Sequence, residues 1–393
     1  MSTPRIPKVA LLVETALGYG RGLLRGIARY ARLHGPWVFY LTPGDLLQVL
    51  PKMEEWGGTG IIARIETPEI ARAILATRLP VIALDLKREQ LAADNPLSRL
   101  SEVCPDSHQA GRMAAEHLLA KRFEQFAFVG VADDPPWSTR RKEGFAQCLA
   151  MAAFSCHDYP VPRSARERQW SREQPRLVRW LQSLPKPLGL LACDDDRGRQ
   201  VLTACRVAGI QVPEDMAIIG VDNDEVLCDI SDPPLASVAL DSEKAGYEAA
   251  ALLDGLMSGR IRAPRRILVP PLFVVERRSA EVMAHNDRDV ALALRFIHDH
   301  AGQPIAVKEI ARTSRLSRRM LELRFRRSVG CTIHEKIQSV RLERAKQLLI
   351  ETEQSIGEVA QAAGFASSGY FSKVFHRALG MPPADYRLRM DCP

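Results

Sequence analysis

The sequence predicts an α/β protein in two parts. Residues 1–280 read as two units of parallel β-sheet covered by helices, and residues 290–393 as an all-helical region with two helix-turn-helix units, joined by a linker at 281–289. Three observations carry this prediction. Continuous apolar runs alternate with helix-like stretches up to residue 280, as in sheets buried on both faces. No strand-like run follows the polar segment "SAEVMAHNDRD" (279–289). Beyond it, the sequence repeats itself once.

The strands expected in order are "KVALLV" (8–13), "WVFYLT" (37–42), "GIIARI" (60–65), "PVIALDL" (80–86), "FAFVGV" (126–131), "LGLLAC" (188–193), "MAIIGVD" (216–222) and "RILVPPLFVVER" (266–277). Helices are expected between them at 20–33, 68–77, 107–121, 140–153, 174–184, 198–209 and 242–257. About eight strands suggest two sheets rather than one, although nothing near "SREQPRLV" (171–178) marks where to divide them. The first run is too short for a signal segment or a membrane span. The eight cysteines are scattered without a CxxC pair, which reads as reduced thiols in a cytoplasmic protein rather than a disulfide frame or a metal site.

In the tail, "VKEIARTSRLSRRMLELRFRRSVG" (307–330) aligns with "IGEVAQAAGFASSGYFSKVFHRALG" (356–380). Val307, Ile310, Ala311, Leu316, Leu321, Phe325 and Gly330 match Ile356, Val359, Ala360, Phe365, Phe371, Phe375 and Gly380. The offset changes from 49 to 50, so one residue is inserted near the turn. Each copy reads as a short helix, a tight turn and a second helix opened by serine, Ser317 in one and Ser367 or Ser368 in the other. Residues 332–352 read as one connecting helix.

Charge follows the same division. The net charge is +7, and residues 285–393 hold 18 Lys and Arg against 12 Asp and Glu, so +6 lies there. A basic excess confined to a tandem helix-turn-helix region points to double-stranded DNA. Leu321 and Phe325, with Met320, are expected in the core of the first reading helix, leaving Arg318, Arg319, Glu322 and Leu323 outward. Phe371, Val374 and Phe375 do the same in the second, leaving Ser368, Gly369, Ser372 and Lys373. Arg and Lys can bond guanine edges and Glu the cytosine amino group.

Segment 290–389, and "RAKQLLIETEQSIGEVAQAAGFASSGYFSKVFHRALGMPPADYR" (344–387) above all, resembles the DNA-binding domain of the AraC family of bacterial transcription regulators. The resemblance implies base-reading positions at Arg319, Glu322 and Leu323, and at Gly369, Ser372 and Lys373. Leu323 can touch only a thymine methyl, and Gly369 no base edge.

The first 280 residues resemble the LacI-type effector domain, which has the periplasmic-sugar-binding-protein fold. The cues include "PDSHQAGRMAAEHLLAKRFEQFAFVG" (105–130), "PPLASVALDSEKAGYEAA" (233–250) and "RRILVPPLFVVERRS" (265–279). The domain order, sensor first and AraC-type domain last, resembles that of bacterial regulators of xylose operons. The resemblance implies a homodimeric activator working with RNA polymerase and a small sugar effector, D-xylose or another pentose. A hexose, polyol or nucleoside stays open as the ligand.

A sugar needs paired donors and acceptors. Glu14, Arg64, Glu66, Asp85, Asp194, Asp195, Asp222 and Asn223 stand at strand ends, and Tyr19 and Arg21 follow the first strand. An Asp in such a place is equally suited to capping the next helix. The LacI resemblance implies that Arg141 grips the ligand and that Asp85, Asp194 and Asp222 contact it. An enzyme is the alternative class. "ETALGYGRGLLRG" (14–26) follows a strand but lacks the G-x-G-x-x-G spacing of a dinucleotide loop. "CDDD" (193–196) offers consecutive carboxylates that do not converge without further ligands. No enzyme activity, cofactor, metal or membrane segment is expected.

Overall fold

The computed structural model describes residues 6–41, 50–132, 135–162, 164–281, 288–314 and 316–390. The chain forms two compact units, 1–282 and 283–393.

The first unit holds two six-stranded sheets. Its strands are β1 (Lys8–Leu12), β2 (Val38–Leu41), β3 (Gly60–Arg64), β4 (Val81–Leu84), β5 (Ser101–Pro105), β6 (Phe126–Val129), β7 (Cys156–Asp158), β8 (Leu188–Ala192), β9 (Met216–Asp222), β10 (Ala236–Leu240), β11 (Arg266–Val269) and β12 (Pro271–Val275). Its helices are α1 (Gly18–His34), α2 (Met53–Trp56), α3 (Pro68–Thr77), α4 (Ser107–Ala120), α5 (Pro136–Met151), α6 (Trp170–Ser183), α7 (Asp195–Ala208), α8 (Glu225–Ile230) and α9 (Ser242–Met257). The first sheet runs β11-β5-β4-β3-β1-β2 and the second β12-β10-β9-β8-β6-β7. Every pairing is parallel except β10 with β12.

The expected run 266–277 is corrected to two strands in different sheets. Pro270 cannot donate to a ladder, and the chain changes sheet there, β11 pairing with β5 and β12 with β10. Three short strands, β5, β7 and β10, were not anticipated. The chain therefore passes between lobes three times, after β5, after β10 and after β11. At the first two passages Asp106 caps α4 and Asp241 caps α9, accepting from Gln109 N at 2.9 Å and Lys244 N at 3.1 Å.

The glycines of 14–26 serve packing. A β-carbon on Gly22 would lie 1.9 Å from Ser242 Oγ, and one on Gly26 1.9 Å from the Glu243 carbonyl oxygen. They let α1 lie against α9 at close range.

The second unit holds α10 (Arg288–His300), α11 (Val307–Thr313), α12 (Arg318–Val329), α13 (Ile333–Glu351), α14 (Ile356–Ala362), α15 (Ser368–Leu379) and α16 (Pro383–Met390). Of the expected linker, 282–287 lie outside the described residues, and Arg288 and Asp289 already belong to α10. Four residues separate α11 from α12 and five separate α14 from α15, which places the inserted residue in the turn. Ala345, Leu349, Val359, Phe365, Phe371 and Phe375 form the core of the second half. Arg341 and Arg344 of α13 donate to the carbonyls of Ala301 (2.8 Å) and Ala362 (3.0 Å), tying the connecting helix to both halves.

Candidate functional site

Strands β1, β3, β4, β8 and β9 end at the cleft between the lobes, as ligand-binding α/β sheets do. Seven of the eleven residues named from the sequence line one cavity of about 60 Å³ there. Glu14, Tyr19, Arg64 and Asp85 come from the first lobe, and Arg141, Asp194 and Asp222 from the second. Leu17, Leu84 and Trp137 add apolar surface. A wider groove of about 710 Å³ lies between Arg88 and the start of α5. It is more open, and two of its lining charges, Lys142 and Asp158, pair with each other at 2.6 Å.

The cavity is built from two guanidinium clusters. Arg64 bonds Asp85 at 2.7 Å, with Glu14 at 4.0 Å and Glu66 at 3.9 Å. Arg141, 3% exposed, bonds Asp222 at 2.8 Å and the Cys193 carbonyl, and stands 4.9 Å from the Trp137 ring. Two buried groups there have no partner: the Tyr19 hydroxyl and Arg141 Nε. A buried donor left unbonded costs about 1–3 kcal/mol, and such groups mark a place for a ligand.

Burial and the neighbouring Asp222 push the Asp194 carboxyl up to about 6. Asp222 is raised by burial, against the pull of Arg141. Burial, then Asp85, lifts the Tyr19 hydroxyl well above its usual range, so it remains protonated. Burial works against the charge on Arg64, but Asp85 and Tyr19 more than offset it.

Backbone strain gathers at the same strand ends. Asp85, Asp222 and Asn223 have φ of 52°, 109° and 50°, a region L-residues rarely adopt. Strain of this kind concentrates where a side chain must be aimed.

Four of the named residues, Arg21, Glu66, Asp195 and Asn223, do not line the cavity. Arg21 reaches Asp224, at 3.1 Å, rather than the cavity. Asn223 is held by Arg277 at 2.9 Å and by Ser237. Of the "CDDD" carboxylates, Asp194 caps α7 as well as lining the cavity, Asp195 is buried against Ser237, and Asp196 pairs with Arg199. They diverge, and among the described residues no group of His, Cys, Asp or Glu is arranged to hold a metal. Trp137 was missed because the helix was expected to start at 140, and it starts at Pro136.

In the second unit, Ser317 caps α12 and Ser367 caps α15, through Met320 N at 3.3 Å and Tyr370 N at 3.2 Å. Leu321, Phe325, Phe371 and Phe375 are fully buried. Met320, expected in the core, is corrected to the surface at 46% exposure, since it stands one position off the Leu321–Phe325 face. Arg318, Arg319, Glu322, Leu323, Ser368, Gly369 and Lys373 are exposed, and Ser372 is half-buried. Arg318 Nε donates to Glu322 at 2.8 Å, a pair on the exposed face of α12.

Comparison with known proteins fits this geometry. A periplasmic binding protein-like domain model matches residues 115–280, a helix-turn-helix domain model 310–389, and a XylR N-terminal domain model 8–96. The chain is 33% identical to the xylose operon regulatory protein of Escherichia coli (strain K12) over 97% of this chain and 96% of that protein. This chain belongs to the xylose operon regulatory protein family. The counterpart from Haemophilus influenzae is 31% identical over 98% of this chain and 99% of that one. A solved structure of the xylose-binding transcription activator xylR superposes with a TM-score of 0.81 at 32% identity, over 98% of this chain and 99% of that one. As a member of the family, the protein is a sugar-responsive, DNA-binding transcription regulator and not an enzyme. Among its described residues no helix is long and apolar enough to cross a membrane.

Proposed function

We propose that this regulator works in the cytoplasm as a homodimer, binds D-xylose in the cleft and activates genes for xylose use together with RNA polymerase. The carrying observation is the pair of unpartnered groups, the Tyr19 hydroxyl and Arg141 Nε, on opposite lobes of one cavity. A sugar hydroxyl donates and accepts at once, so one small polyol can satisfy both and thereby join the lobes. Carboxylates of Glu14, Asp85, Asp194 and Asp222 supply acceptors, Arg64 and Arg141 donors, and Trp137 a face for the C–H side of the ring. The relatives named for the xylose operon supply the choice of pentose.

Sugar that touches both lobes binds the closed form in preference and shifts the population toward it. Closure moves the surfaces through which two chains pair, and so moves two sets of α12 and α15 relative to repeated half-sites. On the DNA, Arg319, Glu322, Ser372 and Lys373 read base edges, and Arg318 and Ser368 stand beside them at the helix starts.

Calorimetric titration of the full chain with pentoses, hexoses, polyols and nucleosides tests this reading. Saturable binding of D-xylose in preference to the others is expected. Binding of another compound alone would replace the effector, and silence across the set would remove the sugar.

A further inference from the structure

The Arg21 guanidinium does not enter the cavity, and its actual partner lies in the opposite lobe. Asp224 follows β9 and is 5% exposed. It stands at the start of α8, yet its side chain does not cap that helix. Its carboxylate instead accepts from Gly18 N at 2.7 Å and from Arg21 Nη2 at 3.1 and 3.2 Å. Gly18 opens α1, so the carboxylate also sits at the positive end of that helix. A β-carbon on Gly18 would lie 3.0 Å from Asp224, so glycine permits the close approach.

Both ends of this contact connect to the cavity. Arg21 also donates to the carbonyls of Thr15 and Ala16, bracing the loop between cavity residues Glu14 and Leu17. Asp224 N donates to Asp195 at 2.7 Å, and Asn223 N to Ser237 Oγ at 3.0 Å, which in turn donates to Asp195 at 2.6 Å. The strained loop 222–224 is thus pinned, with Asp222 facing the cavity and Asp224 facing α1.

We propose that Asp224, with Arg21 and the Gly18 amide, forms a closure latch between the lobes that sets how tightly the cleft holds its sugar without touching it. Asp224 and Arg21 are positioning residues. Their contacts exist only when the lobes meet, so they add to the closed form alone, and apparent affinity scales with the population of that form. The proposal rests on the cleft being the sugar site.

The test uses the full chain with Asp224→Asn, Arg21→Ala and the double variant. Charge-assisted hydrogen bonds of this kind predict apparent D-xylose affinity about tenfold or more weaker in each single variant. The loss is expected chiefly in faster release, because the latch must break before the sugar can leave. The double variant is expected to lose less than the sum of the two single losses, because both remove the Arg21–Asp224 contact. Unchanged affinity, additive losses or a loss confined to association would overturn the latch. Hydrogen exchange on the ligand-free chain tests it without sugar. Amides of 18–22 are expected to exchange faster in Asp224→Asn than in the parent while amides of the buried strands β3, β4 and β8 exchange equally in both, and equal exchange at 18–22 overturns the latch. A parent chain that takes up no sugar removes the sugar reading while the exchange result still decides the latch.

Discussion

Tyr19 shows how a single atom separates binding from stability. Its hydroxyl is buried with no partner in the folded chain. Tyr19→Phe removes that unsatisfied group, so the protein is expected to hold or gain up to about 1 kcal/mol of stability. The same variant is expected to bind xylose about tenfold more weakly, because a ligand hydroxyl loses its partner. Thermal unfolding and calorimetry measured side by side would show the opposite signs, and unchanged affinity would take Tyr19 out of the site. Asp194 gives a pH dependence. Its carboxyl titrates near 6 when buried in the folded chain. A sugar hydroxyl donating to it prefers the ionised form, so affinity should rise as pH rises through about 6 and fall below it, by at most tenfold per unit. Asp222, raised by burial, pushes in the same direction. Asp194→Asn keeps an acceptor for the α7 cap and should flatten part of the dependence in titrations at pH 5 to 7.5. The acids at strand ends were legible from the sequence because a strand end in a parallel sheet faces the cleft. The direction of Arg21 was not, because its partner is 203 residues away.

The elements differ in how plainly they were written. β4, β6 and β8 are short apolar runs, and β1, β3 and β9 are apolar but for one charged residue at an end, so all six stood out. β5 reads "SEVCP", with polar residues that the buried environment accommodates, β7 is only "CHD" at a half-exposed sheet edge, and β10 is a five-residue "ASVAL". In β5, Glu102 is 2% exposed, and it accepts from the Leu86 amide at 2.9 Å and pairs with Arg266 at 2.7 Å. Only the fold supplies those partners. The reading helices were plain because their repeat recurs with matching core positions. Gly364 in the second turn has φ of 89°, and a β-carbon there would lie 2.1 Å from the Ala301 carbonyl oxygen. Gly364→Ala is expected to cost the second unit at least about 1–3 kcal/mol and to weaken operator binding, while sugar binding in the first unit stays intact. Arg319→Ala should weaken operator binding with no loss of stability, since Arg319 is exposed. Gel-shift titration and thermal unfolding of both variants separate a lost contact from a lost turn. Equal melting of Gly364→Ala and the parent would remove the argument from the turn.

At the scale of the molecule, one unit carries the cleft and the other carries both reading helices, with the basic excess confined to the second. The sequence showed that division through composition and repeat, but it could not show how one unit informs the other. Linkage states what any such coupling must obey. If xylose raises operator affinity by some factor, operator DNA must raise xylose affinity by the same factor, because both describe one free-energy difference. Coupling of about 1–3 kcal/mol, or about 5- to 150-fold, is the usual range. The measurement is operator binding with and without saturating xylose, set against xylose titration with and without saturating operator, at one salt concentration, since phosphate contacts make DNA affinity salt-dependent. Equal factors above one are expected. A factor of one in both directions would mean that the sugar does not act through DNA affinity, which leaves contact with RNA polymerase as its route. Opposite signs in the two titrations would mean that the species binding DNA differs from the one binding sugar, as a change from dimer to monomer would produce, and sedimentation under the same conditions would reveal it. The latch between Arg21 and Asp224 enters the same relation. A variant that opens the cleft should weaken operator binding in the absence of sugar if closure is the form that reads DNA, and strengthen it if the open form is.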